Sequence, residues 1–153
     1  MTPAIYMTFE EIRAIANRCF GCGQANEAGL KLAIRESERG TVSAKTILSA
    51  QYQGYNGIAH GGIVCTLLDE IMAYAVLYAR EPGKVSTARM EVRFSKPVPI
   101  GKEIIVSGRV LAEKRNIFET EAEICSIEGD ILASATGKYM RSVGGNKDRS
   151  RAS

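Results

Sequence analysis

The sequence predicts a single α+β domain in which a curved antiparallel sheet of five or six strands wraps around one long central helix. Two observations carry this. Residues 61–79, GGIVCTLLDEIMAYAVLYA, form a nearly unbroken apolar run of helix length rather than strand length. Four strand-like segments follow it, at 86–94, 103–112, 117–127 and 131–141, and their separators PVPIG, KRN and EGD are short enough for antiparallel neighbours. A helix apolar on nearly all faces has to be enclosed by protein, and a curved sheet can enclose it. Residues 1–143 are expected to form this domain, with 144–153, GGNKDRSRAS, as a disordered polar tail.

The elements follow in chain order. Thr8 to Glu11 (TFEE) is a capping box, in which a hydroxyl and a carboxylate satisfy the first free amides of a helix. Phe9, Ile12, Ile15 and Ala16 continue at helical spacing, which predicts a short amphipathic helix over 9–18. CFGCGQANEAG then breaks the pattern with glycines and an Asn. Residues 29–36 and 41–48 read as two strands joined near ESERG; Val42, Ala44, Thr46 and Leu48 alternate with more polar neighbours. QYQGYNGIAHGG is a glycine-rich loop leading into the long helix. That helix could nominally span a bilayer, but Asp69 and Glu70 at its centre would be very costly in lipid, so it is expected inside a protein core. EPG at 81–83 ends it. In STARMEVRF, strict alternation puts Ala88, Met90, Val92 and Phe94 on one face and Thr87, Arg89, Glu91 and Arg93 on the other.

Composition narrows the function classes. Apolar residues make up 45% and charged residues 24% of the 153, with a net charge of +3. With six Tyr, four Phe, no Trp and no basic–aromatic interleaving, nucleic acid is not an expected partner. The start, MTPAIYMTFEEI, lacks the layout of a signal peptide, so a cytoplasmic protein with free thiols is expected. Cys19 and Cys22 form a CxxC, but zinc needs four ligands, and neither a second pair nor a nearby His accompanies it. A redox CxxC follows a strand and opens a helix; this one follows a helical pattern and reads as a turn. No metal and no cofactor are therefore expected.

The chemistry concentrates at GIAHGGIVCTLLDE. His60, the chain's one histidine, precedes Gly61 and Gly62 at the helix start. The first amides of a helix lack partners within it and carry partial positive charge, so Gly61 and Gly62 can polarise a carbonyl; plain turn geometry would also place glycines there. Asp69 and Glu70 lie about 100° apart on a helix and cannot face the same way. A carboxylate in apolar surroundings is costly unless something needs it, and here it suggests a nucleophile or a base that activates water, or else a structural pairing. His60 and Asp69 are separated by roughly 13 Å along the axis, on opposite faces, at about 1.5 Å and 100° per residue. If both act on one substrate atom, the acid must come from a second copy of the chain, in a twofold dimer with two identical sites.

HGGIVCTLLDE after a glycine-rich loop, followed by VSTARMEVRFSKPVPIG and preceded by CFGCGQANEAGL, resembles the hot-dog acyl-CoA thioesterases of the phenylacetate-degradation (PaaI-like) type over about residues 19–141. The resemblance implies the hot-dog fold and hydrolysis of a thioester to a carboxylic acid and free coenzyme A, without metal or redox cofactor. It implies Gly61 as the amide donor, Asp69 as the catalytic acid, His60 as the neighbouring loop histidine that braces or orients, and Thr87 as the hydroxyl that holds the water or the acid. Gly62 and Asn56 join them as substrate-binding candidates, Asn56 because Gly54 occupies the position where many members carry Asn. Glu70 is the alternative acid at the substrate site. Arg89, Arg93, Lys96, Lys114 and Arg115 are the basic residues from which coenzyme A phosphates could draw partners, and Met72, Tyr74 and Tyr55 could shape the acyl pocket. An acyl-CoA substrate and a homodimer or homotetramer are the expected partners, with no membrane. Two other readings stand beside this one: a non-catalytic acyl-CoA-binding or sensing module, and a hot-dog enoyl-CoA hydratase or dehydratase, which needs both groups close to one carbon.

Overall fold

A computed structural model describes residues 8–38, 40–80 and 83–142. The expected tail at 144–153 and the first two residues of EPG lie outside them. Among the described residues there are two α-helices and six strands: α1 (Phe9–Ile15), β1 (Arg35–Glu38), β2 (Thr41–Ile47), α2 (Gly61–Ala79), β3 (Lys84–Phe94), β4 (Glu103–Lys114), β5 (Ile117–Ser126) and β6 (Ile131–Ser142), with a short 3₁₀ turn at Ala50–Tyr52. The strands make one antiparallel sheet in the order β1-β2-β4-β5-β6-β3, and α2 lies across its inner face.

Side-chain size explains how closely the helix sits. Val42, Gly108, Ala122, Ala135 and Val92 form one row across β2, β4, β5, β6 and β3. Three of the five are Gly or Ala, and a Cβ on Gly108 would lie 3.3 Å from the Ile71 carbonyl oxygen. The helix backbone therefore rests on this row. Leu67, Leu68, Ile71 and Met72 are fully buried beneath it, each contributing about 1.5–3 kcal/mol of apolar burial.

The α2 limits match the apolar run, but its enclosure is one-sided. The sheet covers Val64, Leu67, Leu68, Ile71, Ala75 and Val76, while Cys65, Asp69 and Ala73, at helical spacing, stay half-exposed. β3 ends the sheet order, so one whole edge of an eleven-residue strand is unpaired.

Three expectations need correction. The first helix stops at Ile15, not 18: none of its residues is buried, and the Ala16 cap and the Cys19 amide bonding to the Ala16 carbonyl turn the chain instead. Its capping box forms as expected, and Phe9 stacks on Tyr78 with ring centroids 4.7 Å apart. The strand expected at 29–36 is confined to Arg35–Glu38. Leu30, Leu32 and Ile34 do alternate inward, but Leu30 and Leu32 hydrogen-bond to Phe20 and Gly21 of a loop, not to a strand. The third correction is in β3, where the register with β6 shifts between Thr87 and Arg89. Ala88 is the extra residue of this bulge, and it reverses the alternation. Thr87 therefore pairs with buried Tyr139 on the inner side, while Met90 and Val92 keep the expected face and pack against the core; Phe94, at the strand end, is 57% exposed.

Candidate active site

The loop before α2 is knit by backbone bonds that fix the helix tip. The His60 amide donates to the Tyr52 carbonyl, the Ala59 amide to Val98 and the Ile100 amide to Gly57. Gly54 packs against this frame; a Cβ there would lie 3.3 Å from His60 Cα, which accounts for glycine at that position. His60 is the N-cap of α2, and its Nδ1 accepts from the Gly62 amide at 2.9 Å. The imidazole thus serves as the side-chain cap of the helix. The Ile63 and Val64 amides donate to the His60 carbonyl. Of the two glycine amides, Gly62 is therefore engaged by His60, while Gly61 donates to nothing among the described residues. Gly61 lies under the exposed ring of Phe94, at the end of β3. Asn56 and the 87% exposed Tyr55 sit at the outer tip of the loop.

Asp69 emerges on the seam of α2 that the sheet leaves open. Its Oδ1 accepts from the Thr87 hydroxyl at 2.8 Å and from the Tyr139 hydroxyl at 2.7 Å. Its Oδ2 accepts nothing among the described residues. Thr87 reaches Asp69 because the bulge turns it inward, and Tyr139 stands beside it in the same cross-strand row. Tyr139 is a residue that sequence reasoning missed. Its strand neighbours on the inner face, Ala133, Ala135 and Gly137, are all small, and a buried phenol among them needs a partner for its hydroxyl. Burial, then its hydrogen bond to Asp69, pushes the Tyr139 hydroxyl far above its ordinary value, so it stays a donor. Burial and the Asp69 charge likewise raise the Cys65 thiol one turn away, keeping it protonated.

Glu70 points elsewhere, as 100° of helix rotation requires. It lies against the CxxC turn, with Cys19 Sγ 3.7 and 3.8 Å from its two carboxylate oxygens. Burial lifts the Glu70 carboxyl, and burial followed by Glu70 lifts the Cys22 thiol. The structure thus brings Asp69 and Thr87 together, His60, Gly61 and Gly62 together, and Glu70 with Cys19 and Cys22. Met72, expected to shape a pocket, is sealed in the core with its sulfur against Gly137. Tyr74 lies on the Glu70 side beside Cys22.

The basic candidates are dispersed. Lys96 pairs with Asp130 at 3.3 Å and Arg89 with Glu91 at 3.8 Å, both exposed pairs of little energetic weight. Arg93 lines a recess of about 650 Å³ on the outer face of the sheet, among Glu91, Arg109, Glu121 and Glu123. That recess touches neither Asp69 nor Gly61, and its lining is the solvent face of the strands.

Comparison with known proteins bears on this geometry. The thioesterase superfamily matches residues 56–133, just over half of the chain, from the glycine loop to the start of β6. Acyl-coenzyme A thioesterase 13 of Homo sapiens is 23% identical over 110 residues, covering 72% of this chain and 74% of that protein. Among solved structures, a thioesterase superfamily protein is 24% identical at a TM-score of 0.72 and covers 77% of this chain, which spans 60% of its length. The Escherichia coli PaaI protein from the phenylacetic acid degradation operon is 22% identical at a TM-score of 0.68, covering 76% of this chain and 82% of its own. A Streptococcus mutans protein solved bound to acetyl-CoA is 20% identical at a TM-score of 0.67, covering 73% and 89%. These structural likenesses establish the hot-dog fold.

Proposed function

The chain belongs to the thioesterase superfamily, and from that premise we propose that it hydrolyses acyl-CoA thioesters at a site shared between two copies. One observation carries the reading: Asp69 is held by two hydroxyls with one oxygen left open, on a helix whose Gly61 amide is also open.

The edge strand supplies the reason for two copies. Asp69 is tied to Thr87 near the start of β3, and Gly61 lies under Phe94 at its end. Asp69 and Gly61 also both sit on α2, where eight residues at about 1.5 Å each set them roughly 12 Å apart along the axis, too far for one carbonyl. β3 has a free edge, and an antiparallel twofold pairing centred near Met90 and Glu91 sets Thr87 of one copy opposite Phe94 of the other. Each Asp69 then approaches the Gly61 amide of the second copy, and the open seam of Cys65, Asp69 and Ala73 is covered.

In this site the Gly61 amide holds the thioester oxygen as it becomes an oxyanion. The open Asp69 oxygen does one of two things. It adds to the carbonyl carbon, the C–S bond breaks, and the resulting anhydride is cleaved by water. Alternatively it takes a proton from water as the hydroxide adds, and that proton leaves with the coenzyme A sulfur. Both routes give a carboxylic acid and free thiol. His60, with Nδ1 occupied by Gly62, braces the glycine turn.

The test is thiol release from a panel of acyl-CoAs. Wild type is expected to release thiol and Asp69→Asn to lose that release while staying folded. Binding without release would indicate a sensor, and hydration of an enoyl-CoA without thiol release a hydratase. Loss in Glu70→Gln but not in Asp69→Asn would transfer the role to the other acid.

A further inference from the structure

We propose that Cys19, Cys22 and Glu70 bind a thiophilic divalent cation of the zinc class, with a water beside Tyr74 as the fourth ligand. The sequence argued against a metal on ligand count, because it offers one CxxC and no nearby histidine. The fold supplies the missing donor from α2, 48 residues beyond Cys22. One ligand atom from each of the three residues lies within 4.8 Å of the others, and all three are half-buried.

The spacing fits coordination. With metal–sulfur and metal–oxygen distances of about 2.3 and 2.1 Å, the edge of a tetrahedron is roughly 3.6 Å. Cys19 Sγ stands 3.7 and 3.8 Å from the Glu70 oxygens, favouring neither as a single hydrogen bond would. A cavity of about 310 Å³, lined by Cys22, Tyr74, Arg13, Asn17 and Gln24, opens at the cluster and gives water an approach.

The turn is shaped around the carboxylate. A Cβ on Gly21 would lie 2.6 Å from Glu70 Oε2, and one on Gly23 would overlap the Asn17 carbonyl. Only glycine at both positions lets the two thiols close over Glu70. Backbone bonds hold the turn in place: Gly23 to Cys19 at 2.8 Å, Leu30 to Phe20 at 2.7 Å and Leu32 to Gly21 at 2.9 Å. Among the described residues no basic side chain forms an ion pair with Glu70. A half-buried carboxylate with no cation beside it is unfavourable, and a bound divalent ion would answer it. The ion would also clamp the segment through 19–34 to α2, one residue from Asp69. This is a structural site, independent of the thioesterase reading.

The experiment uses the untagged, reduced, metal-free full chain titrated with Co²⁺ and then Zn²⁺. The expected result is one cobalt per chain, with thiolate-to-cobalt charge transfer and visible bands of tetrahedral intensity, displaced by zinc, and a rise in melting temperature. Cys22→Ser should cut the charge transfer by half or more, and Glu70→Gln should weaken binding by at least about tenfold. Should Cys22→Ser fail to fold, the wild-type spectrum and Glu70→Gln still decide. The proposal is overturned by absent charge transfer, by binding that Glu70→Gln leaves unchanged, or by a Cys19–Cys22 disulfide in protein that takes up no metal when reduced.

Discussion

The Tyr139 hydroxyl lies 2.7 Å from Asp69 Oδ1, joining the last strand of the sheet to the middle of the central helix across 70 residues of sequence. Thr87 donates to the same oxygen from β3, the edge strand paired with β6. Two hydroxyls from two strands fix one carboxylate rotamer and leave Oδ2 free. In the proposed mechanism Tyr139 acts through Asp69, as a positioning residue.

Tyr139→Phe keeps the buried ring and removes only the hydroxyl. Thiol release is expected to fall roughly tenfold in kcat with little change in KM, the signature of lost transition-state alignment. Stability should drop by about 1 kcal/mol, read from the denaturant midpoint. A change confined to KM would contradict the positioning role.

The same residue makes a pH prediction. Burial and Asp69 raise its ionisation above the ordinary 10.0 in the folded state. The folded chain keeps the proton where the unfolded chain releases it, so this stabilisation is full below pH 10 and declines as pH rises through and beyond it. The stability gap between wild type and Tyr139→Phe should therefore narrow above pH 10. A gap constant with pH would show that the hydroxyl's surroundings are misread.

Mixed dimers test the shared site. Gly61→Pro removes one amide at a position where proline suits a helix start, and His60 at φ −59° and ψ 138° already has the extended backbone that precedes proline. Gly61→Pro and Asp69→Asn should each be inactive alone. Co-refolded in equal amounts, half the dimers are hybrids with one intact site, so about one quarter of wild-type thiol release should return. No recovery in verified hybrids would place both groups in one chain.

Gly137→Ala tests the packing behind Tyr139. The new Cβ would lie 2.7 Å from the Tyr139 ring and 3.2 Å from Met72 Sδ and Thr120 Oγ1. Overpacking of this kind costs about 1–3 kcal/mol. Thermal unfolding should shift down, and thiol release should fall as the ring is displaced. An unchanged melting temperature would show that the ring has room to move.

How much was readable beforehand depended on the range of the interaction. The nineteen-residue helix carries its own signal, since an apolar run flanked by HGG and a turn leaves little choice of limits. Strands β4 to β6 lie between short turns and end within two residues of the expected limits, although their pairing carries irregularities at Val110/Ala112 and Ile124/Cys125. Leu30 and Leu32 alternate inward yet form no named strand, because their partner is a loop. The β3 bulge escaped notice because one inserted residue leaves composition unchanged while reversing faces. It moved Thr87 from an apparent surface position to the acid.

Local chemistry sufficed to mark the helix, its glycine tip and the pair of acids, since each depends on neighbours within a few turns of chain. Assigning Asp69 to Thr87 and Tyr139, and Glu70 to the two thiols, required the folded backbone. A hundred degrees of helix rotation sends adjacent carboxylates to surroundings built by segments some 20 to 70 residues away. No pattern along the chain records which of those segments arrives at which side.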